Sequence, residues 1–384
     1  MIVRSFLRSS SWWIALVLIM VYAGCTDDPT DILAVRNENL RVELVEWARL
    51  AQSAHNYQPW RVVLDPDRSD RMWLYIETER LLPETDPPAR QITISAGTFL
   101  AVLEARAAQL GLAAQIELLP HGEYDLETIG SLPVAAVVLN EFSGARSSLF
   151  VAADVDALSQ ATVKYRYRPA ELDASFRRRL TAWSDWDSGI QVSVMTDPAD
   201  VQWLNEISRQ AYVIEMRNPA TRAETYESTR MTRRARRQQP YGLAYTANFR
   251  PMILRVVETS QILFPQSHEK WAETGIDQFT AALDDINTYI VITSETNDRT
   301  AQVQTGRMLQ ALWMEIQAAG HVVLANSQAL QEYPKMRELY TKVHERLAPD
   351  GETVQMILAV ARPATGRHLH SPRFRAEALI SSPD

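Results

Sequence analysis

AQSAHNYQPWR, residues 51–61, sets short polar side chains beside a proline and a tryptophan, directly after a segment of helical periodicity. Over residues 37–50 the apolar side chains of Leu40, Leu44, Val45 and Ala48 recur at the spacing of one helix face. Pro59 cannot extend that helix, and it restricts the residue before it. Ser53 and Asn56 are therefore expected on a helix-terminal loop, with side chains able to hydrogen-bond a ligand. A second reading also fits: a capping loop in which Ser53 and Asn56 satisfy orphaned backbone groups and Trp60 belongs to the core. His55 invites a proton-donor role. Its place between the two polar positions suits a structural imidazole facing away from them better.

Outward from this loop, residues 61–64 and 72–76 are short β-prone runs joined by the turn-rich DPDRSDR. ISAGTFLAVLEARAAQLGL, residues 94–112, is a strong helix with a glycine near its end, followed by strand-like residues 115–119 and 134–139. The order then returns more loosely. A helix is expected at 176–183, a strand at 191–195, a helix from Val201, a strand at 289–293, a long helix at 305–319 and a last strand at 354–361. The economical reading is an α+β fold of two units in tandem. RMTRRARR, residues 230–237, would place Arg230, Arg233, Arg234 and Arg237 on one face of a helix, read here as a solvated face without a catalytic role.

The 51–61 string resembles the nitroreductase superfamily, in which a helix ends in a Ser-x-x-Asn-x-Gln-Pro-Trp motif before the first strand. Ser53, Asn56, Gln58, Pro59 and Trp60 match it, while Gln52 replaces the proline common before the serine. RLLPETDPPARQITISAG, residues 80–97, resembles the following segment of the Acg-like branch, FMN-binding proteins with a duplicated fold, through Pro83, Asp86, Pro87, Arg90, Ser95 and Gly97. TGRMLQALWMEIQAAG (305–320) resembles the superfamily's long central helix. VQMILAVARPA (354–364) and HSPRFRAEALI (370–380) resemble the final strand and the basic C-terminal segment.

This resemblance implies an FMN-dependent nitroreductase fold, α+β, with two tandem related halves forming a pseudo-dimer: residues 39–150, then 151–384 with a lid over about 218–252. It implies Ser53 and Asn56 at the polar edge of the flavin ring, and Gln58 among the cofactor-binding residues. It also implies a phosphate held by Lys164, Arg166 and Arg168 of VKYRYRP with Arg373 and Arg375 of SPRFR. The register at VKYRYRP stays open, because the family pattern can be laid on it two ways. A surface strand and a solvated tail would equally explain these basic residues.

The halves differ. The first has the 53–60 motif but only Arg41 as a basic residue in NENLRVELVE, whereas the second has the basic cluster but reads WSDWDSGIQV (183–192) where the motif would fall. One FMN per chain is expected, bound between the halves of a monomer. The chemistry is then the flavin's: hydride from NADH or NADPH, and two electrons onward to a nitro, quinone or similar small acceptor. The alternative function is non-catalytic, an FMN-sequestering or storage protein with a lidded site. A scaffold that binds no flavin is a third reading.

Composition narrows the classes. The chain has 384 residues, 47 acidic against 39 basic, a net charge of −8 and 46% hydrophobic residues, near the average for a globular protein. The acidic balance argues against a nucleic-acid binder. One cysteine and seven histidines leave no metal set of usual spacing, so no metal is expected. Residues 1–24 read as a signal peptide: Arg4 and Arg8 precede an apolar stretch of roughly 20 Å if helical, short of the roughly 30 Å hydrocarbon core. VYAGC, ending at Cys25, resembles the bacterial lipobox, with Tyr22 an imperfect fit. A lipid-anchored lipoprotein of the periplasm or cell envelope is expected, with Cys25 acylated and residues 25–38 as a tether; a signal anchor, or an ordinary signal peptide with an incidental cysteine, is the other reading.

Overall fold

The computed structural model describes residues 37–141, 167–187, 189–244, 259–260, 263–364 and 371–382. The leader, Cys25, most of the tether, Lys164 and Arg166 lie outside the described residues.

The first half is built as its sequence suggests. α1 (Leu40–Ala48) is capped by the Asn39 side chain, which accepts from the Arg41 amide at 3.1 Å. β1 (Trp60–Leu64) and β2 (Arg71–Ile76) form an antiparallel hairpin with Trp60 opposite Ile76. α2 (Arg90–Gln109) follows, starting at Arg90 rather than Ile94. Its first turn is capped from outside, the Asp86 carboxylate accepting from the Ile92 amide at 2.9 Å. β3 (Leu112–Leu118) and β4 (Ala135–Glu141) then pair antiparallel, and β4 also pairs with β2.

In the second half, β5 (Tyr167–Pro169) precedes α3 (Ala174–Thr181) and β6 (Ile190–Met195). α4 (Pro198–Arg217), α5 (Pro219–Glu227), β7 (Thr229–Arg230), α6 (Arg233–Gln238), β8 (Leu243–Ala244) and α7 (His268–Leu283) lie before the next sheet strand. β9 (Tyr289–Ser294), α8 (Arg299–Ala318), β10 (Val322–Ala325), α9 (Arg337–Leu347) and β11 (Thr353–Pro363) complete the unit. The chain ends on α10 (Ala376–Leu379) and β12 (Ile380–Ser381), which pairs parallel with β1, so the C-terminal segment joins the first sheet. α8 begins at Arg299 rather than Thr305, because Asp298 caps it through the Ala301 amide at 2.8 Å.

The two sheets repeat one plan. β1-β2-β4-β3 and β6-β9-β11-β10 have the same order, and every neighbouring pair in both runs is antiparallel. α2 and α8 occupy matching places, each 20 residues long. Arg90 and Arg299, Gly97 and Gly306, and Gly111 and Gly320 each stand 209 residues apart, and both of the last pair have φ of 78° just past the helix end. The helices cross on Gly97 and Gly306: a Cβ at Gly97 would lie 1.9 Å from the Val303 carbonyl oxygen, and one at Gly306 lies 1.9 Å from that of Ile94. Only glycine lets the backbones approach so closely. A polar contact also repeats with its charges exchanged: Arg106 pairs with Glu43 and covers Trp47, whereas Glu315 accepts from Arg179 and Trp183.

The main core is shared. Leu44, Trp60, Phe99 and Leu100 pack in one cluster with Leu180, Met308, Leu312 and Leu358. Burial of this apolar surface from both halves is the main force holding them together. β11 is buried on both faces, as a central strand between two layers should be.

The expectation of a solvated arginine face at 230–237 holds in part: Arg234 and Arg237 are exposed on α6, but Arg230 does not join them. Arg230 sits on β7 rather than on a helix, and both it and Arg236 are buried. Arg236 donates to the Arg230 carbonyl at 3.4 Å, which ties α6 to β7.

Candidate functional site

The 51–61 loop leaves α1 and turns tightly before β1. Residues 54–56 form a single 3-10 turn. His55, Asn56 and Gln58 have φ of 47°, 56° and 50°. Left-handed backbone at non-glycine residues costs on the order of 1–3 kcal/mol each and persists only where the surroundings enforce it. Those surroundings are visible. Ser53 Oγ accepts from the Gln58 amide at 3.0 Å, Ser95 Oγ accepts from the Ala54 amide at 3.0 Å, and the Trp60 indole donates to the Ser95 carbonyl at 2.7 Å. From the second half, Gln310 Oε1 accepts from the Gln52 amide at 2.9 Å. The 51–61 and 80–97 strings thus meet in space, with α8 bracing them.

Two distant stretches converge on this loop. Asn56 Nδ2 donates to the carbonyls of Gly242 (2.9 Å) and Pro372 (3.0 Å), and Asn56 Oδ1 accepts from Arg373 Nη1. Gln58 Oε1 accepts from the Phe374 amide at 2.9 Å, while its Nε2 donates to the Pro240 carbonyl at 3.1 Å. Asn56 and Gln58 therefore act as clamps between residues 240–242 and 372–374. Both side chains are buried and fully engaged, as a capping reading requires of them.

Arg373 is the unusual member. Besides Asn56, its guanidinium reaches only the carbonyls of Pro372 (3.3 Å) and Ala51 (3.4 Å), and no carboxylate pairs with it among the described residues. Its Nε is buried without a hydrogen-bond partner. Burial, then the charge of Arg49, pushes its pKa down to about 9. Arg49 closes α1, is 1% exposed and pairs with Glu46, yet its Nη2 is also buried and unpartnered. Two guanidiniums with idle buried N–H groups and, among the described residues, only one ion-paired carboxylate between them suit a compact anion such as a phosphate monoester.

The remaining expected residues fall elsewhere. Arg375 precedes α10 and is exposed. Arg168 is exposed on β5, paired opposite Arg362 in the second sheet, with no hydrogen bond to the motif loop among those described. His55 lies edge-on to Tyr57, with ring centroids 6.4 Å apart. Arg49 was missed from the sequence because an arginine in the last turn of a helix is already explained by the helix dipole. Its burial between Ala48 and Leu50 is the only distinguishing sign.

Among the described residues the second half shows no equivalent loop. Trp47 and Trp183 hold matching places against α2 and α8, but Trp183 is followed almost at once by β6 at Ile190, whereas Trp47 is separated from β1 by the whole motif. An open depression of about 810 Å³ lies in that half, lined by Asp173, Arg177, Thr196, Asn205 and Asn287 among others. None of its residues belongs to the motif loop. Among the described residues no group of three or more His, Cys, Asp and Glu side chains could hold a metal, and no helix is long and apolar enough to cross a membrane.

No protein-family model and no curated protein matches the chain. Among solved structures it is similar to a nitroreductase with bound FMN from Desulfitobacterium hafniense DCB-2, at TM-score 0.35 and 9% identity, over 57% of this chain and 93% of that one. It is similar to a putative nitroreductase from Anabaena variabilis at TM-score 0.36 and 10% identity, over 86% of this chain and 90% of that one. A third is the FMN and NADPH-dependent nitroreductase NfnB from sphigopyxis sp. strain HMH, at TM-score 0.35 and 13% identity, over 59% and 96%. At these TM-scores the likenesses carry no argument. The functional reading rests on this chain's own residues.

Proposed function

We propose that the chain is an FMN-binding oxidoreductase of nitroreductase type, one flavin per chain, held between two halves that act as a fused dimer. The observation that carries this is Arg373: a half-buried guanidinium whose Nε is shielded and unpartnered, with no carboxylate on it among the described residues, hydrogen-bonded to Asn56 of a motif at the other end of the chain. Arg373 and Arg49 would hold the phosphate, Arg375 would supply longer-range charge, and Ser53, Asn56 and Gln58 would shape the wall beside the ring. FMN, when bound, supplies two-electron transfer from a donor such as NAD(P)H to a nitro or quinone-type acceptor. The chain's own residues bind, orient and exclude water. The fused dimer is supported by the repeated strand order and the paired glycines; the single site is supported by the short connection after Trp183.

Storage is the second reading, and one observation favours it. Residues 240–242 are fastened onto the motif loop, the Gly242 amide donating to the Asn56 carbonyl at 2.8 Å, so the lid region covers the site. Anaerobic addition of NADPH to the purified yellow protein separates the two: bleaching of the flavin band supports a reductase, and a band that persists supports storage. A protein that takes up no FMN removes both. For localisation, we propose export and membrane anchorage through acylated Cys25, with no nucleic-acid partner. The purified mature chain is expected to be monomeric.

A further inference from the structure

Beside the motif loop stands an aromatic and cationic stack that the flavin reading does not use. Tyr241 lies nearly parallel to Phe374, with ring centroids 5.4 Å apart and planes at 18°, and Tyr57 meets it edge-on at 5.4 Å and 85°. The Arg230 guanidinium carbon is 4.7 Å from the Tyr241 ring centroid, and that of Arg80 is 4.4 Å from the Phe374 centroid. Neither arginine has a carboxylate within ion-pairing distance among the described residues. Arg80 donates to the Gln58 carbonyl and Arg230 to the Glu227 carbonyl, which satisfies N–H groups but not charge. Arg230 is 5% exposed, and its Nε is buried without a partner. Glu77 and Glu79 act on Arg80, and Glu224 and Glu227 act on Tyr57, only through space. A guanidinium over a neutral ring is held by the ring quadrupole alone, and an anionic ring in the same place would add charge-assisted attraction to it.

A ligand ring can enter only by displacing Tyr241. It sits between Pro240 and Gly242, on a segment joined to the rest by the two-residue β7–β8 pairing and the bonds to Asn56 and Gln58. Gly242 has φ of 90°, and a Cβ there would lie 2.3 Å from the Ser228 carbonyl oxygen, so the turn depends on glycine.

We infer that Tyr241 is a placeholder in a slot for a single-ring aromatic anion, walled by Tyr57 and Phe374 and charged by Arg80 and Arg230. One six-membered ring fills it, which matches a benzoate- or phenolate-type molecule rather than a three-ring flavin. The inference names the acceptor class of the proposed reductase. It rests on that reading for turnover, though not for binding.

Isothermal titration calorimetry of the purified mature chain with 4-nitrobenzoate and its neutral counterpart 4-nitrobenzamide tests the slot, with FMN content read from visible absorbance in the same samples. The benzoate is expected to bind on the order of tenfold more tightly than the amide, since it gains charge-assisted contacts to two guanidiniums. Arg230→Gln and Arg80→Gln should each remove most of that preference while leaving the amide unchanged, and Tyr241→Ala should tighten both ligands. Equal binding of the two probes, a preference that survives both arginine changes, or weaker binding in Tyr241→Ala would overturn the slot. If Arg230→Gln does not fold, Arg80→Gln and Tyr241→Ala decide. A colourless protein that still discriminates the probes keeps the slot and sinks the flavin reading; a yellow one that does not discriminate does the reverse.

Discussion

Replacing Gly97 by alanine sets two effects of opposite sign against each other. Alanine is the better helix former by about 1 kcal/mol, so propensity alone makes Gly97→Ala stabilising. Packing says otherwise. The new Cβ would lie 1.9 Å from the Val303 carbonyl oxygen and 2.9 Å from both the Arg307 amide nitrogen and the Gly306 Cα, all backbone atoms of the facing helix. Backbone cannot rotate away as a side chain can. The helices would have to separate by roughly 1.5 Å at their crossing to restore ordinary contact, loosening the core around Phe99, Met308 and Leu312. Overpacking of this kind costs about 1–3 kcal/mol and occasionally more. After the propensity gain, a net loss of about 1 kcal/mol is expected, reaching about 2 kcal/mol at the upper end of that range. The urea midpoint, followed by tryptophan fluorescence with the slope checked for constancy, measures it. Gly306→Ala should cost a similar amount, and the double variant less than the two together, because one separation of the helices makes room for both methyl groups. A single variant more stable by about 1 kcal/mol would refute the close crossing.

Other outcomes follow from the site. Arg373→Ala should weaken FMN retention on the order of a hundredfold through loss of a charge-assisted phosphate contact, whereas Arg375→Ala, an exposed position, should cost on the order of fivefold; equilibrium dialysis separates them, and equal effects would count against the buried site. Asn56→Asp would give Arg373 its missing carboxylate, so FMN affinity should fall while the melting temperature holds or rises. Glu215 is 1% exposed, accepts from Thr225 at 3.0 Å and Gln331 at 3.1 Å, and burial raises its pKa from 4.5 to about 7. Its folded-state pKa lies above the unfolded value, so stability is full below pH 4.5 and declines by up to about 3 kcal/mol as pH rises through 7. Melting curves at pH 5.5 and 8 should show this loss in the wild type and a smaller one in Glu215→Gln. Asp86, also raised by burial, to about 6, adds a decline of the same sign over its own lower range.

Much of the first half was legible because its signals are local. Pro59 ends the helical region, alternating residues mark the β1–β2 hairpin, and the apolar face of α1 is regular. Helix starts were less so. α8 begins at Arg299 because Asp298 caps it, a signal passed over in favour of the stronger apolar periodicity beyond Thr305. α2 takes its cap from Asp86 by way of a turn in which Ala89 has φ of 55°, which no propensity scale expects. The site was legible as a set of residue types but not as a set of partners. Asn56 and Gln58 were legible as polar loop residues, while their fastening of residues 240–242 and 372–374 was not. Those contacts span more than 180 and 310 positions of chain, and only the fold brings them together. The C-terminal segment was legible as basic and as a source of phosphate-binding arginines, but not its place: Ile380 and Ser381 extend the first sheet beside β1, which brings Arg373 to Asn56.

The central claim is one phosphate-gripped flavin per chain. Equilibrium dialysis of the purified mature chain against FMN and against riboflavin, with visible spectra of the retained ligand, tests it directly. One FMN per chain is expected, with riboflavin bound at least about a hundredfold more weakly for lack of a phosphate. No uptake of FMN, two molecules per chain, or equal affinity for the two flavins would contradict it.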